Sequence, residues 1–170
     1  MKPQKILSVV IKLFKKLRSD KKQQFNRVLP FGDYFNDRWE KAQYLGFGEG
    51  SSIYDSAVVI GNVTVGKHCW IGPGVMLDGS GGLNIGDYCS ISMNVQIYSH
   101  DSVEWAVSGG EKPYQYAPTN IGSRCYIGPN TVISRGICIG DGAVIGANSF
   151  VNADVAPGTK VAGNPARVVG

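Results

Sequence analysis

Residues 119–151 read TNIGSRCYIGPNTVISRGICIGDGAVIGANSFV, and aliphatic side chains return at every sixth position: Ile121, Ile127, Ile133, Ile139, Ile145 and Val151. Gly122, Gly128, Gly140 and Gly146 follow four of them. Two residues before each aliphatic stands a second, mostly small side chain: Thr119, Cys125, Thr131, Ile137, Ala143 and Ser149. The same register extends back through Ile53, Val59, Val65, Ile71, Leu77, Ile85, Ile91 and Ile97, with Ser51, Ala57, Val63, Cys69, Val75, Leu83, Cys89 and Val95 two places earlier. Fourteen points share one pattern.

A helix needs apolar spacing near 3.6 and a half-buried strand alternates with period 2, so a six-residue repeat fits neither alone. Short strands joined by turns do fit. One hexad supplies one flat face, and stacked faces give a parallel β-helix whose coils pair about 4.8 Å apart. Glycine after the aliphatic residue suits a corner, through a permissive backbone or a close approach. An ordinary β-sandwich would need all fourteen points to be accidental.

The register is interrupted twice, and interruptions of a rigid scaffold are where function concentrates. Leu77 to Ile85 is a step of eight, carrying Asp78-Gly79-Ser80-Gly81-Gly82, which reads as a small outward bulge. Ile97 to Ile121 is a step of twenty-four, four hexads, so residues 98–120 leave the coil and return in register. This excursion holds His100, Asp101, Glu104, Trp105, Lys112, Tyr114 and Tyr116.

The repeats, Ser99-His100-Asp101 at the head of the excursion, Ile145-Gly146-Ala147-Asn148-Ser149, and Ala162-Gly163-Asn164-Pro165-Ala166-Arg167 together resemble the hexapeptide-repeat acyltransferases, in particular sugar O-acetyltransferases similar to the galactoside and maltose enzymes. The resemblance covers about residues 51–169. It implies an all-β, left-handed parallel β-helix, a homotrimer, and acetyl-CoA bound in clefts between neighbouring subunits. The handedness comes from the resemblance alone, since it opposes the usual right-handed crossover. Expected organisation is an N-terminal helical arm and cap over 1–50 and a β-helix domain over 51–170 with a tail at 155–170.

Within that frame His100 is the expected catalytic base. An ordinary imidazole, with pKa about 6.5, can take a proton from a sugar hydroxyl, whose oxygen attacks the thioester of acetyl-CoA. Asp78, Asp101, Trp105 and Tyr114 are the expected substrate-binding residues. Asp78 is equally readable as a turn-capping residue before Gly-Ser-Gly-Gly. Asp101 either orients His100 or solvates the loop. For the acyl donor the resemblance implies pantetheine near Gly128, Gly146 and Ala147, with Tyr126, Lys160 and Arg167 completing the site. Tyr126 stands where relatives often carry tryptophan, and Asn152-Ala153-Asp154 lacks the lysine common before that aspartate. His68 lies inside a regular hexad and reads as an outward wall residue. Two histidines are too few for a three-histidine zinc site, and no metal is expected.

Of four cysteines none forms a CxxC pair, and Cys69, Cys89 and Cys125 fall on the small inward row as compact fillers, whereas Cys138 falls off it. Free thiols favour a reducing, cytoplasmic compartment. Residues 1–22 carry eight basic side chains against Asp20, while the whole 170-residue chain is only +4, so the rest is slightly acidic. In that arm Ile6, Val9, Val10, Leu13, Phe14 and Leu17 recur at helical spacing. A basic amphipathic helix can lie on an anionic membrane face or pack against its own trimer with solvated lysines, and the second is the plainer reading. Asp37 to Tyr44 reads as a short helix. The aromatic residues between Phe31 and Phe47 read as a cap on the open end of the solenoid.

The sequence thus predicts an acetyl-CoA-dependent O-acetyltransferase acting on a sugar or sugar-containing precursor in surface polysaccharide assembly. Transfer to an amino sugar, and a non-catalytic β-helical scaffold, are the alternatives. No nucleic-acid partner is expected, since no aromatic-basic platform accompanies the arm.

Overall fold

The chain is described by a computed structural model over residues 3–170; Met1 and Lys2, counted above in the basic arm, lie outside the described residues. From Ser51 onward it winds into a parallel β-helix with three flat faces. On the first face Ile53, Ile71, Ile91, Ile127, Ile145 and Val161 stand in line, coil upon coil. The second lines up Val59, Leu77, Ile97, Ile133 and Val151. The third lines up Val65, Ile85, Ile121, Ile139 and Val155. All but the partly covered Val59 are buried in one continuous core. A regular coil takes eighteen residues, as Ser52 against Trp70 and Val132 against Phe150 illustrate. The solenoid also runs past Val151: a four-residue step to Val155 and a further six to Val161 begin another coil.

The corners separate two demands, left-handed backbone and close approach between coils. Left-handed backbone falls three residues before the aliphatic position, at His68 (φ 54°), Tyr88 (57°) and Arg124 (59°) on one corner and Asn94 (57°), Asn130 (57°) and Asn148 (55°) on another. Asparagine tolerates this conformation. Its amide then bonds the amide of the next coil, Asn94 Nδ2 to Asn130 Oδ1 at 3.2 Å and Asn130 Nδ2 to Asn148 Oδ1 at 3.1 Å. Glycine after the aliphatic residue serves close approach instead: a Cβ on Gly128 would lie 2.6 Å from Ala147 N. His68 faces outward as expected, its ring stacked on Tyr88 at 4.9 Å.

Cys69, Cys89 and Cys125 occupy successive coils of one inward row and are buried. Each thiol points at a carbonyl of the next coil, Gly86, Gly122 and Gly140 respectively. The neighbouring Cys125 and Cys69 thiols, with burial, push Cys89 above its ordinary pKa. Cys138 faces solvent.

Helix α1 spans Pro3–Phe25, α2 spans Gly32–Phe35 and α3 spans Arg38–Tyr44. Proline in the first turn costs α1 no hydrogen bond, and Asn26 in left-handed backbone (φ 52°) ends it. Asp37 caps α3 by accepting from Trp39 N and Glu40 N. The open end of the solenoid is covered mainly by Ala42, Leu45 and Phe47, which join the core. Lys41 Nζ donates to the carbonyls of Tyr54, Asp55 and Ala57, satisfying backbone that has no coil above it. Of the aromatic residues expected to form the cap, Phe31, Phe35, Trp39 and Tyr44 stay exposed. Phe31 instead packs on Phe14 of α1 and on Phe35.

Both breaks in the register fall on the corner between the second and third faces. The first is a bulge of two extra residues within a continuous strand. Met76–Ile85 runs as one strand beside Val58–Val65 with a register shift between Gly61 and Val63, and Asp78 and Gly79 are buried while Ser80 is exposed. Asp78 tolerates burial because its oxygens find partners in Ser80 of its own strand and in Ser99 and His100 of the next coil. The second break is a true excursion, narrower than 98–120. Its neck closes where Ala117 N donates to Ser99 O at 2.9 Å, and His100–Asp101 pairs antiparallel with Gln115–Tyr116. Beyond the neck lies α4, Val103–Val107.

Candidate active site

Stacking the two breaks on adjacent coils puts the Asp78 carboxylate directly against the root of the excursion. Ser99 N donates to Asp78 Oδ2 at 3.0 Å, and Ser80 N and Ser80 Oγ donate to Oδ1 at 3.0 and 2.5 Å. The Ser99 hydroxyl ties both strands together, giving to Asp78 O at 2.7 Å and receiving from Gly81 N at 2.8 Å. His100 Nδ1 lies 2.5 Å from Asp78 Oδ2. Asp78 is 1% exposed, so this pair is shielded from water on its carboxylate side. Burial, the largest influence, opposes ionisation, but the bonds from Ser80, Ser99 and His100 together outweigh it and hold the carboxyl down at about 2.

An ionised carboxylate has only acceptor sites, so Nδ1 carries the proton in this pair, and in the neutral ring Nε2 is the nitrogen that holds the lone pair. The His100 side chain is 31% exposed and lines an open cleft of about 380 Å³ with Tyr98, Asp101, Val132, Arg135 and Phe150 among its walls. The rings of Tyr116 and Tyr114 lie nearly parallel to the imidazole, with centroids 5.9 and 6.3 Å away. Trp105, on α4, meets Tyr114 edge-on at 5.5 Å. Tyr114 thus stands beside His100 and Trp105 beside Tyr114, while neither lines the cleft itself.

Asp101 has a different partner from the one weighed in the sequence. It pairs with Arg135 Nε, while Arg135 Nη2 donates to Gln115 Oε1 at 2.7 Å. The guanidinium therefore spans both strands of the neck from the coil above, and it holds the Asp101 carboxyl below its ordinary pKa. Arg135, Ser99 and Tyr116 complete the site. The signal for Arg135 lies in the coil arithmetic: it stands two places after Ile133, at the corner already marked by both breaks.

The expected donor-site residues assemble elsewhere. Tyr126 and Lys160 both pair with Val144 and lie outward on the first face. Gly128 and Ala147 abut at the corner between the first and second faces, and Gly146 abuts Ala162. Arg167 pairs back on Ala162 in the terminal hairpin. None of these six lines the cleft that holds His100. In one chain the second face separates the two groups.

Residues 118–153 match the bacterial transferase hexapeptide (six repeats) family, and residues 58–99 match the hexapeptide repeat of succinyl-transferase. The chain thus carries hexapeptide repeats similar to those of both families over these two stretches. It is similar to galactoside O-acetyltransferase of Escherichia coli, 29% identical over 126 residues, which are 62% of this chain and 62% of that protein. A putative acetyltransferase of Bacillus subtilis is 36% identical over 51% of this chain and 46% of its own length. The chain thus spans about half to three fifths of the length of these curated relatives. Among solved structures, a hexapeptide-repeat acetyltransferase of Vibrio cholerae complexed with acetyl-CoA superposes with a TM-score of 0.57 at 26% identity, over 92% of this chain and 87% of that one. An N-acyltransferase of Bacillus cereus reaches a TM-score of 0.66 at 22% identity over 72% and 70%, a likeness of fold.

Proposed function

We propose that the protein is an acetyl-CoA-dependent O-acetyltransferase acting on a hydroxyl of a sugar or sugar-containing precursor, with His100 as general base. The observation that carries this reading is the His100–Asp78 pair: a buried carboxylate 2.5 Å from Nδ1 supports the tautomer with the proton on Nδ1, on a histidine that lines an open cleft. This is the arrangement a base needs when a neutral nucleophile must lose a proton as it attacks.

The acceptor hydroxyl gives its proton to His100 Nε2 while its oxygen bonds to the thioester carbon. The resulting imidazolium is stabilised by the Asp78 carboxylate. Collapse of the tetrahedral adduct breaks the C–S bond, and the proton on Nε2 returns to the departing CoA sulfur. Atoms and charge balance without an acyl-enzyme. Tyr114, Tyr116 and Trp105 offer ring faces and edges suited to a pyranose.

Gly128, Gly146, Ala147, Tyr126, Lys160 and Arg167 are proposed to hold the donor. Their separation from the His100 cleft within one chain supports a homotrimer in which the donor surface of one subunit faces the excursion of its neighbour. Galactoside O-acetyltransferase and the acetyl-CoA complex from Vibrio cholerae support the donor and the reaction class. A role in surface polysaccharide assembly draws support from similarity to a putative colanic acid biosynthesis acetyltransferase of Escherichia coli, 29% identical over 63% of this chain. Such a protein works in the cytoplasm, where acetyl-CoA is made. Release of free thiol from acetyl-CoA, followed against sugars, amino sugars and nucleotide sugars, tests the reading. Release that requires a hydroxyl acceptor supports it, whereas no turnover or CoA binding with any of them returns the fold to a scaffold role.

A further inference from the structure

The first half of α1 is a two-sided surface with no use in the acyl-transfer site. None of the residues of α1 is buried. Ile6, Leu7, Val9, Val10, Ile11 and Leu13 are exposed by 38% (Val10) to 59% (Leu7). Only the following stretch is anchored, through Phe14, whose ring meets Phe31 at 5.2 Å and Tyr34 at 5.5 Å. The helix therefore projects its first three turns away from the packing that holds it.

At 100° per residue, Ile6, Val9, Val10, Leu13 and Leu17 form one stripe, which Leu7, Ile11 and Phe14 widen on one side. Lys5, Lys12 and Lys16 line one edge of it and Lys15 and Arg18 the other. Asp20 is the one acidic residue of the helix. No helix among the described residues is long and apolar enough to cross a membrane. An apolar stripe between two cationic margins instead fits the boundary of an anionic lipid leaflet, where acyl chains meet the stripe and headgroup phosphates meet the lysines.

We infer that α1 lies in the plane of an anionic membrane surface and docks the protein there through Ile6–Leu13 and the flanking lysines. The occupant follows from charge. A second copy of the helix would set like-charged margins against each other, whereas a phosphate surface neutralises both margins at once. The inference stands apart from the acyl-transfer reading, although a trimer, if formed, would present three arms and bind more tightly than a single helix.

Co-sedimentation of the full chain with vesicles tests it. Vesicles of phosphatidylcholine mixed with phosphatidylglycerol should retain at least about ten-fold more protein than phosphatidylcholine alone, with retention falling as salt is raised. Val10→Glu with Leu13→Glu, and separately Lys12→Gln with Lys15→Gln and Lys16→Gln, should each lower retention about ten-fold or more. Both variants should keep the wild-type melting temperature, since no α1 side chain is buried. Equal retention on neutral vesicles overturns the charge argument. Absence of retention on both vesicle types overturns docking altogether. If Val10→Glu with Leu13→Glu lowers the native mass of the particle instead, the stripe is a subunit interface and the inference fails.

Discussion

Replacing Asp78 with asparagine keeps the shape of the side chain and removes the charge on which the site is built. The carboxylate accepts four protein hydrogen bonds, from Ser80 N, Ser80 Oγ, Ser99 N and His100. Its pKa falls from an ordinary 3.8 to about 2. Because the folded value lies below the unfolded one, the ionised group adds about 2 kcal/mol to folding stability, whole above about pH 5 and lost as pH falls towards 2. Asp78→Asn should therefore lower unfolding free energy at pH 7 by about 2 kcal/mol and flatten the acid limb of wild-type stability. Its effect on turnover should be larger. An amide can donate to Nδ1, which favours the imidazole tautomer with the proton on Nε2 and so removes the base. A tautomer fault of this kind costs about 10⁴-fold in kcat in the serine-protease triad, and a loss of at least about 10²-fold is expected here. Urea unfolding followed by circular dichroism at several pH values reads the first effect, and thiol release from acetyl-CoA at saturating substrates reads the second. Unchanged acid stability, together with kcat within about three-fold of wild type, would refute the assigned role of the pair.

Arg135→Ala removes the brace across the neck and should speed proteolytic nicking within residues 100–116 and lower kcat about ten-fold; Arg135→Lys, lacking the two-pronged reach to Asp101 and Gln115, should recover little of it. Lys41→Met leaves three carbonyls at the end of the solenoid without their cation and should cost about 1.5–3 kcal/mol in chemical denaturation. Gly128→Ala should destabilise by about 1–3 kcal/mol, because its Cβ would press on Ala147 N at 2.6 Å, backbone that cannot swing aside. Gly142→Ala, by contrast, has room but a φ of 69°, so its cost should be the smaller one of strained backbone alone, about 1 kcal/mol.

The fold was legible because its signal is one-dimensional. A row such as Ile53, Ile71, Ile91, Ile127, Ile145 and Val161 is the period itself, wrapped three to a coil. His100 was legible for a related reason, since it stands where the period stops. What the linear pattern concealed was which breaks coincide in space. The step of eight and the step of twenty-four look independent, yet Leu77 pairs with Ile97, so Asp78 and His100 emerge one above the other. Counting coils rather than hexads brings them together, and Arg135 with them. In sequence Asp78 reads as a turn or as a contact to substrate, because burial of a carboxylate is costly unless its bonds are made, and those bonds come from Ser80, Ser99 and His100 in the folded chain. The glycine corners mislead in the same way. Gly122, Gly128 and Gly146 mark close approach between coils, while left-handed backbone falls three places before the aliphatic residue, at Gly50, Gly74 and Gly142 as well as at asparagine, histidine, tyrosine and arginine. Phe31, Tyr34 and Phe35 belong to the junction with α1, while Trp39 and Tyr44 stay exposed, a distinction that hydrophobicity alone does not carry.

The most direct test of the central claim is kcat for acetyl transfer by His100→Ala beside wild type, at saturating acetyl-CoA and acceptor, with the product characterised by mass and by hydroxylamine lability. The account predicts an ester product and a fall of at least about 10²-fold in the variant with its fold intact. An amide product, or a variant that turns over within about three-fold of wild type, would contradict it.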